Sequence, residues 1–418
     1  MSLTGIMLVL LLRALTLAAA GLTVYCLGRS IYNVFFHPLR RVPGPFFAKI
    51  TRLWLFYHDY GGNPHNHIRN LHLKLGPLVR ISPNEVSVDD VKANNSLYSQ
   101  SNPWVKPPYH YKAFQSSPAY SIFTELDPAT HASHLRLLAP AFSQSRVTSA
   151  EAQELLWSKC DEMVRGIKAW KHQTTGVKIS LTKAFRSFAL DVVTVWTFGR
   201  CANSLDNFHS DLFEVFDVAA ESVIYYAKRA LDAVKAGDQQ QCIFSDLASP
   251  LWQEKRGYTP SDGQVISDGI VILAAGADTT AAALSIGIHH LTRQPELWKR
   301  LQDEVRPIMA ENEGHPRLEA LNQLPLLSAV IKEGLRVSCP IRGHMPRVVP
   351  AGGWQYKGTN FPAGSIVATS AFYGCYNGNV FPEPDRYDPT RWLVDDTTDM
   401  EAHLLPFSRG TRQCIGQK

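Results

Sequence analysis

Residues 407–416, which read Phe-Ser-Arg-Gly-Thr-Arg-Gln-Cys-Ile-Gly, constrain the fold of this chain more than any other segment. A cysteine binds a metal as its thiolate, and backbone N–H groups directed at the sulfur stabilise that charge. Gly410 and Gly416 permit the tight turns that present such groups, and Phe407 can pack over the sulfur and exclude water. An isolated cysteine is better explained as a core residue, but several spaced features coincide here. The pattern therefore predicts that Cys414 is a metal ligand in a rigid loop.

Composition narrows the class of protein. The 418 residues are 45% hydrophobic and 19% charged, which is typical of a globular protein with a large core. A net charge of +5 is too small and too dispersed to indicate binding to nucleic acid. The seven cysteines include no Cys-x-x-Cys pair. This number and spacing argue against a disulfide scaffold or a structural zinc site and favour a reducing compartment.

The N-terminal segment is long and apolar enough to cross a bilayer, from residue 6 to residue 27. A cleavable signal peptide is the alternative, because three alanines at 18–20 resemble a cleavage site. The apolar run continues past these alanines, however, and ends in Arg29, Arg40 and Arg41, which place the downstream side in the cytoplasm. We therefore expect a membrane anchor over 1–36, a proline-rich hinge over 37–50 and one further domain over 51–418.

The pattern of the rest predicts mainly helices. Apolar residues recur at helical spacing from about 131 to 302. Two short strands flank Ser-Pro-Asn at 82–84, which predicts a hairpin, and the chain is again strand-like after Pro350, with an apolar run at 366–371. We expect one large helical domain with a minor sheet that both ends of the chain contribute.

A long helix is expected over 265–293, and residues 275–280 in its middle read Ala-Gly-Ala-Asp-Thr-Thr. The glycine, the aspartate and the two threonines of this motif are poor helix formers. In one interpretation a threonine hydroxyl bonds back to the preceding turn and opens the helix locally. In the other, Asp278 or Thr279 is the N-cap of a new helix. This motif by itself does not decide between them.

A third motif is Glu333-Gly-Leu-Arg336, which places an acid and a base on one face of a helix. A surface ion pair is the commoner explanation of such spacing. Arg391, in the rigid turn Pro-Thr-Arg-Trp, offers a second cation. A carboxylate shared by both arginines would lock the segment before Cys414 through charge-assisted hydrogen bonds.

Together these motifs resemble the cytochrome P450 family. The chain carries that family's AGxDTT, ExxR, PxRW and FxxGxRxCxG patterns in family order. The resemblance implies a mainly α fold with a minor β-sheet, a cytochrome P450-like fold, preceded by an N-terminal transmembrane helix. It implies that 51–418 is a haem-thiolate catalytic domain.

The resemblance also assigns roles to single residues. It makes Cys414 the axial ligand of the iron in haem b. Thr279 and Asp278 would serve oxygen activation, and Glu333, Arg336 and Arg391 would form a structural triad. The cofactor-binding residues would be Arg412, Arg347, Phe407 and His131. The substrate pocket would be lined from residues 117–124, 274–279 and 340–345.

The implied activity is insertion of one oxygen atom from O₂ into a hydrophobic small molecule. The residues around 35–39 and 345–350 look like those of fungal microsomal members that act in secondary metabolism. Such members receive electrons from NADPH through a separate flavoprotein reductase. They are single-pass proteins of the endoplasmic reticulum membrane with a cytoplasmic catalytic domain, so membrane lipid is a further expected partner and nucleic acid is not.

The sequence departs from the family pattern in three places. The family has a further helix on the proximal face of the haem after the cysteine loop, and this sequence ends at Lys418. The stretch between Gly199 and the long helix, with predicted helices at 213–223 and 225–234, is shorter than in the family. The family's early WxxxR reads His131 and Leu135 here, with Arg136 one step along. Two alternatives follow: an impaired or inactive haem protein of the same fold, and a membrane-anchored helical interaction protein without a cofactor.

Overall fold

The computed structural model describes residues 3–101, 104–115, 119–173, 180–206, 208, 220–237 and 241–417. Within them the chain forms two compact units. The first comprises Met1–Leu97 and Gly343–Tyr373, and the second comprises Tyr98–Arg342 and Gly374–Lys418. The predicted helix over 213–223 lies largely outside the described residues.

The first unit begins with the apolar helix α1 (Leu3–Ile31), which a π-helical turn, Tyr32–Phe36, continues. Its other helices are α2 (Phe46–Ile50), α3 (Leu53–Tyr60), α4 (Pro64–Leu75) and α5 (Asn94–Leu97). Its strands are β1 (Leu78–Ser82), β2 (Glu85–Val88), β3 (Met345–Val348), β4 (Trp354–Tyr356), β5 (Thr359–Phe361) and β6 (Ile366–Thr369).

Four of these strands form a sheet in the order β1-β2-β6-β3, and β4 pairs with β5 separately. The β1–β2 hairpin is antiparallel, as predicted, whereas β2 and β6 are parallel with Val86 opposite Val367. Both ends of the chain therefore contribute to one sheet, and this prediction is confirmed. The strand expected over 366–371 is two residues shorter, because a helix begins at Ala371. Strand β3 was not predicted.

The hinge is held firmly against β1. Arg80, fully buried in β1, donates to the carbonyl oxygens of Asn33 and Pro83 at 2.9 and 2.6 Å. Its backbone N–H donates to Pro43 at 2.7 Å. A Cβ at Gly44 would lie 2.2 Å from the Arg80 carbonyl oxygen, so the backbones approach too closely for any side chain there. The residues after α1 are thus fixed to the sheet of this unit.

The second unit is almost entirely helical, and its fold class is as expected. Its core lies around α14 (Asp262–Leu291), whose N-cap Ser261 forms a capping box with Gln264. The other helices of the chain beyond α5 are α6 (Pro108–Tyr111), α7 (Pro128–Leu138), α8 (Gln144–Val147), α9 (Ala150–Gln173), α10 (Leu181–Phe198), α11 (Ala220–Lys235), α12 (Ile243–Ala248), α13 (Pro250–Arg256), α15 (Pro295–Glu311), α16 (Leu318–Asn322), α17 (Pro325–Ser338), α18 (Ala371–Cys375) and α19 (Thr398–His403).

Helix α14 is continuous through residues 275–280, so no new helix begins at Asp278 or Thr279. The Thr279 hydroxyl donates to the Ala275 carbonyl oxygen at 2.6 Å, which is the back-bond that the other interpretation required. The backbone nevertheless stays α-helical there. The neighbouring helices α10, α11 and α17 pack along α14 and support it over most of its length.

Candidate active site

The cysteine loop is closed by its own backbone. The Cys414 N–H donates to the Phe407 carbonyl oxygen at 2.9 Å, and the Gln413 N–H donates to Gly410 at 3.1 Å. Between them, residues Gly410–Arg412 form one 3₁₀ turn. These two hydrogen bonds fix the backbone of the loop at Cys414.

Gly410 is required by its surroundings. Its φ is +76°, a value that favours glycine, and a Cβ there would lie 1.7 Å from the carbonyl oxygen of Tyr98. The same explanation is wrong for Gly416, whose φ of −87° any residue can adopt. A Cβ on Gly416 would be 4.0 Å from the Cys414 sulfur, which is ordinary contact.

We expect Gly410→Ala to lower the free energy of unfolding by at least about 2 kcal/mol, because it combines an unfavourable φ with a backbone clash. Urea unfolding of the purified protein measures this loss. Gly378→Ala is the control, since a Cβ at Gly378 meets no atom within 4 Å. Equal stability of the two variants would show that the Tyr98 contact does not constrain the loop.

Two opposing effects act on the thiol of Cys414, which is exposed at the surface of the described chain. Desolvation by its neighbours raises the pKa of the thiol above its ordinary value, and the nearby Gly416 N–H opposes that rise. A cation bound at the sulfur would favour the thiolate strongly. Gly416 is therefore the candidate for the predicted N–H group directed at the sulfur.

The residues around Cys414 fit a haem held through sulfur. Within the described part of the chain, no three His, Cys, Asp or Glu side chains are grouped so that they could hold a bare metal ion. A single protein sulfur with an N–H donor instead suits a prosthetic group that supplies the other ligands itself, as in haem-thiolate proteins.

Two predicted cofactor-binding residues lie near the start of α7. The Arg412 guanidinium donates to the carbonyl oxygens of Glu125 and Leu126, at 2.8 and 3.4 Å, immediately before that helix. His131 is buried in the second turn of α7. Phe407 is half-buried in the cysteine loop. The structure thus places Arg412 of the cysteine loop against the backbone that precedes α7.

The other two residues at the family's WxxxR motif, Leu135 and Arg136, do not share the surroundings of His131. Leu135 packs against the core around α14, and Arg136 lies at the surface, where it donates to Ser133 at 2.9 Å. Arg347 belongs to the first unit, where it is buried on β3 and donates to the carbonyl oxygen of Pro346 at 2.8 Å.

In the middle of α14, Asp278 is paired with a residue that the sequence analysis did not identify. Arg186 of α10 approaches the carboxylate at 2.6 Å. The partners are 92 residues apart, and an arginine among the polar positions of α10 gives no sequence signal of its own. Asp278 is therefore held in position by an ion pair, while Thr279 is held by its bond to Ala275.

The Glu333 carboxylate is shared by both arginines, as the sequence analysis expected. Arg336 approaches it at 2.9 Å and Arg391 at 3.1 Å, and Glu333 and Arg336 are both fully buried. Arg336 also donates to three carbonyl oxygens, those of Cys375, Pro384 and Arg386. Desolvation of this ion pair is thus offset by a nearly complete set of hydrogen bonds.

Two further donors to Glu333 were missed. The Trp392 indole N–H and the Asp388 backbone N–H each lie 2.9 Å from a carboxylate oxygen. Trp392 follows Arg391 directly, so the Pro-Thr-Arg-Trp turn carried this signal, although the sequence analysis used only its arginine. The network fixes residues 384–392, which precede the cysteine loop, to α17.

Comparisons with known proteins agree with this geometry. The family model of the cytochrome P450 proteins, described as "Cytochrome P450", matches residues 213–418. The cytochrome P450 monooxygenase aneF of Aspergillus aculeatus is 29% identical over 95% of this chain and 88% of its own length. The cytochrome P450 monooxygenase sol6 of Alternaria solani is 28% identical over 97% of this chain and 95% of its own.

The fold also has a counterpart among solved structures. The haem domain of cytochrome P450DA superposes with a TM-score of 0.73, over 90% of this chain and 87% of that chain, at 16% identity. That likeness concerns the fold. The sequence matches and the ordered motifs around Cys414 lead to one conclusion: residues 213–418 carry a cytochrome P450 domain, and this chain is a cytochrome P450 monooxygenase.

Proposed function

We propose that this protein inserts one oxygen atom from O₂ into a hydrophobic small molecule, an intermediate of fungal secondary metabolism. The observation that carries the proposal is the cysteine loop, in which Gly410 fits only as glycine and the Cys414 N–H donates to the Phe407 carbonyl oxygen. The similarity to fungal monooxygenases supports the substrate class.

Cys414 would hold haem b through its sulfur, and haem bound there would supply the activation of dioxygen. Arg412, Arg347 and His131 would contact the propionates, and Phe407 would limit access of water to the sulfur. The chain's own contribution would be this ligand, a dry binding site and the orientation of the substrate.

Thr279 and Asp278 would manage protons on α14. In the structure the Thr279 hydroxyl donates to Ala275. To act as a proton donor in the active site, this hydroxyl would turn away from the Ala275 carbonyl group, and water would resupply its proton. Asp278, half exposed and paired with Arg186, could exchange protons with solvent when that pair opens.

We expect Thr279→Ala to raise the hydrogen peroxide formed per NADPH consumed by roughly tenfold, since a missing proton donor slows productive use of the oxygen. The spectrum of the haem should not change. Thr292→Ala is the control, because its hydroxyl also bonds a carbonyl four residues back in α14, that of Ile288, at 2.9 Å. A peroxide yield equal to that of the control would contradict the role of Thr279.

The proposed location is the endoplasmic reticulum membrane, with one span and a cytoplasmic catalytic domain. Among the described residues, two helices are long and apolar enough to span a bilayer, Leu10–Phe36 and Asp262–Leu291. The second is α14, which packs in the core of its unit. The first is exposed from Leu10 to Arg29 and precedes Arg40 and Arg41, as the positive-inside rule requires of a cytoplasmic flank.

The surface that follows the anchor supports contact with lipid. Helices α2 and α3 expose large apolar and aromatic side chains beside the firmly held hinge, and such side chains prefer the membrane interface. They are Phe46, Phe47, Leu53, Phe56, Tyr57 and Tyr60. We propose residues 1–36 as the anchor, 37–50 as the hinge and 51–418 as the catalytic domain.

The experiment that tests the proposed function is the ferrous–CO difference spectrum of the chain expressed in microsomes with an NADPH-dependent flavoprotein reductase. A strongly red-shifted Soret band, formed with NADPH as the reductant, supports both thiolate-bound haem and the proposed source of electrons. A band that appears only with dithionite contradicts the reductase proposal. Absence of the band, with the protein present, contradicts the haem-thiolate assignment.

A further inference from the structure

A buried carboxylate in the first half of α14 takes no part in the proposed oxygen chemistry. Asp268 has no exposed surface, and one of its oxygens accepts the backbone N–H of Ile122 at 2.7 Å. Its other oxygen lies 2.6 Å from Nε2 of His134, which α7 contributes and which is also fully buried. Burial of a carboxylate is costly unless its partners are specific, so this group has a defined structural task.

Asp268 holds a turn that is rigid in itself. Within residues 119–125, the Ser121 N–H donates to the Thr124 hydroxyl and the Glu125 N–H donates to the Ser121 carbonyl, both at 2.9 Å. A second bond to α14 comes from the Ser267 hydroxyl, which donates to the Ala119 carbonyl at 3.1 Å. The turn is therefore attached to α14 at two consecutive residues of the helix.

The tip of this turn presents an aromatic side chain. Phe123 is 42% exposed, and the buried ammonium group of Lys106 donates to its carbonyl oxygen and lies 4.9 Å from its ring centroid. Along α14, Asp268 precedes Thr279 by about 16 Å at 1.5 Å per residue. One helix thus carries both the attachment of this aromatic tip and the proposed proton donor.

We propose that Asp268 is a positioning residue for substrate selection: it fixes the 119–125 turn, and with it Phe123, against α14. The inference rests on the proposed function and on the substrate pocket that the family resemblance implies, lined from residues 117–124 and 274–279. Asp268 itself touches neither substrate nor cofactor. By fixing the turn, Asp268 sets the distance between the Phe123 ring and the reacting end of the pocket at Thr279.

The partners of Asp268 predict different results for two substitutions. Asparagine can accept the Ile122 N–H with its carbonyl oxygen and direct its NH₂ group at His134, whose neutral ring can accept a hydrogen bond there. Alanine leaves both the Ile122 N–H and the His134 ring unpaired, and an unpaired buried donor is expensive. Asp268→Asn should therefore preserve the position of the turn, whereas Asp268→Ala should release it.

The experiment uses the full chain in microsomes and two azoles that coordinate haem iron, unsubstituted imidazole and a bulky N-substituted azole. Imidazole would report the iron site alone, and the bulky azole would also occupy the proposed substrate pocket. Their dissociation constants are measured by Soret titration. We expect Asp268→Ala to weaken the bulky azole roughly tenfold, the loss that about 1.4 kcal/mol represents, with imidazole changed less than about twofold. Asp268→Asn should stay near wild type for both.

Asp191→Ala is the matched control, since Asp191 is an equally buried carboxylate that accepts the backbone N–H groups of Ser204 and Leu205, at 2.7 and 3.2 Å. It should lower thermal stability without changing the ratio of the two constants. Ser267→Ala is a milder change and should alter the ratio of the two dissociation constants in the same direction as Asp268→Ala. If Asp268→Ala does not fold, Ser267→Ala decides the question. An unchanged ratio in the folded variant, or an equal change in Asp191→Ala, overturns the inference. A chain without the red-shifted CO band overturns the proposed function instead.

Discussion

Replacing Glu333 with alanine is expected to lower the free energy of unfolding by about 3–5 kcal/mol, the cost of leaving a buried charge without its partner. Arg336 would keep its position in the interior and would lose both of its hydrogen bonds to the carboxylate. Three other donors, from Asp388, Arg391 and Trp392, would lose their acceptor as well. Because a folded domain is stable by only about 5–15 kcal/mol, little folded protein should remain.

The chain contains its own control for this prediction. Glu383 and Arg386 have the same spacing and approach to 3.0 Å, but both side chains are largely exposed. Glu383→Ala should leave unfolding close to wild type, because exposed ion pairs contribute little. The measurement is urea unfolding followed by circular dichroism, together with the yield of protease-resistant protein. Similar losses in both variants would mean that burial is not the source of the effect.

Replacing Cys414 with alanine is expected to abolish the red-shifted ferrous–CO band completely, because no other sulfur in the described residues occupies this loop. The fold should survive, since the backbone bond from residue 414 to Phe407 does not involve the side chain. Attachment to the membrane should also survive, since the proposed anchor, α1, is unchanged. The measurement is the CO difference spectrum of microsomes, normalised to the amount of protein in the membrane fraction.

Cys160→Ala is the matched control, since Cys160 is a free, partly buried cysteine on α9. It should retain the whole band. A normal thiolate band in Cys414→Ala would refute the ligand assignment, and loss of the band in both variants would point to misfolding rather than to the ligand.

The local patterns predicted much of the fold. The hairpin at 78–88 followed from two short apolar runs around a turn, and α14 followed from a long apolar run that ends before Pro295. Strand β3 was missed because its four residues include Pro346 and Arg347, which are unfavourable in a strand sequence. Residues 345–348 form a strand because they pair with β6, and both strands lie far along the chain from the hairpin.

The sequence by itself determined which groups can do chemistry: a cysteine between turn-forming residues, hydroxyl and carboxyl groups inside an apolar helix, and acid–base pairs at helical spacing. It did not determine which acid–base pair matters. Glu-x-x-Arg occurs at 162–165, 333–336 and 383–386. The tertiary structure buries only the second pair and surrounds it with donors from a turn more than fifty residues away. The physical reason is that the free energy of an ion pair depends on its desolvation and on its remaining hydrogen bonds, and distant segments supply both.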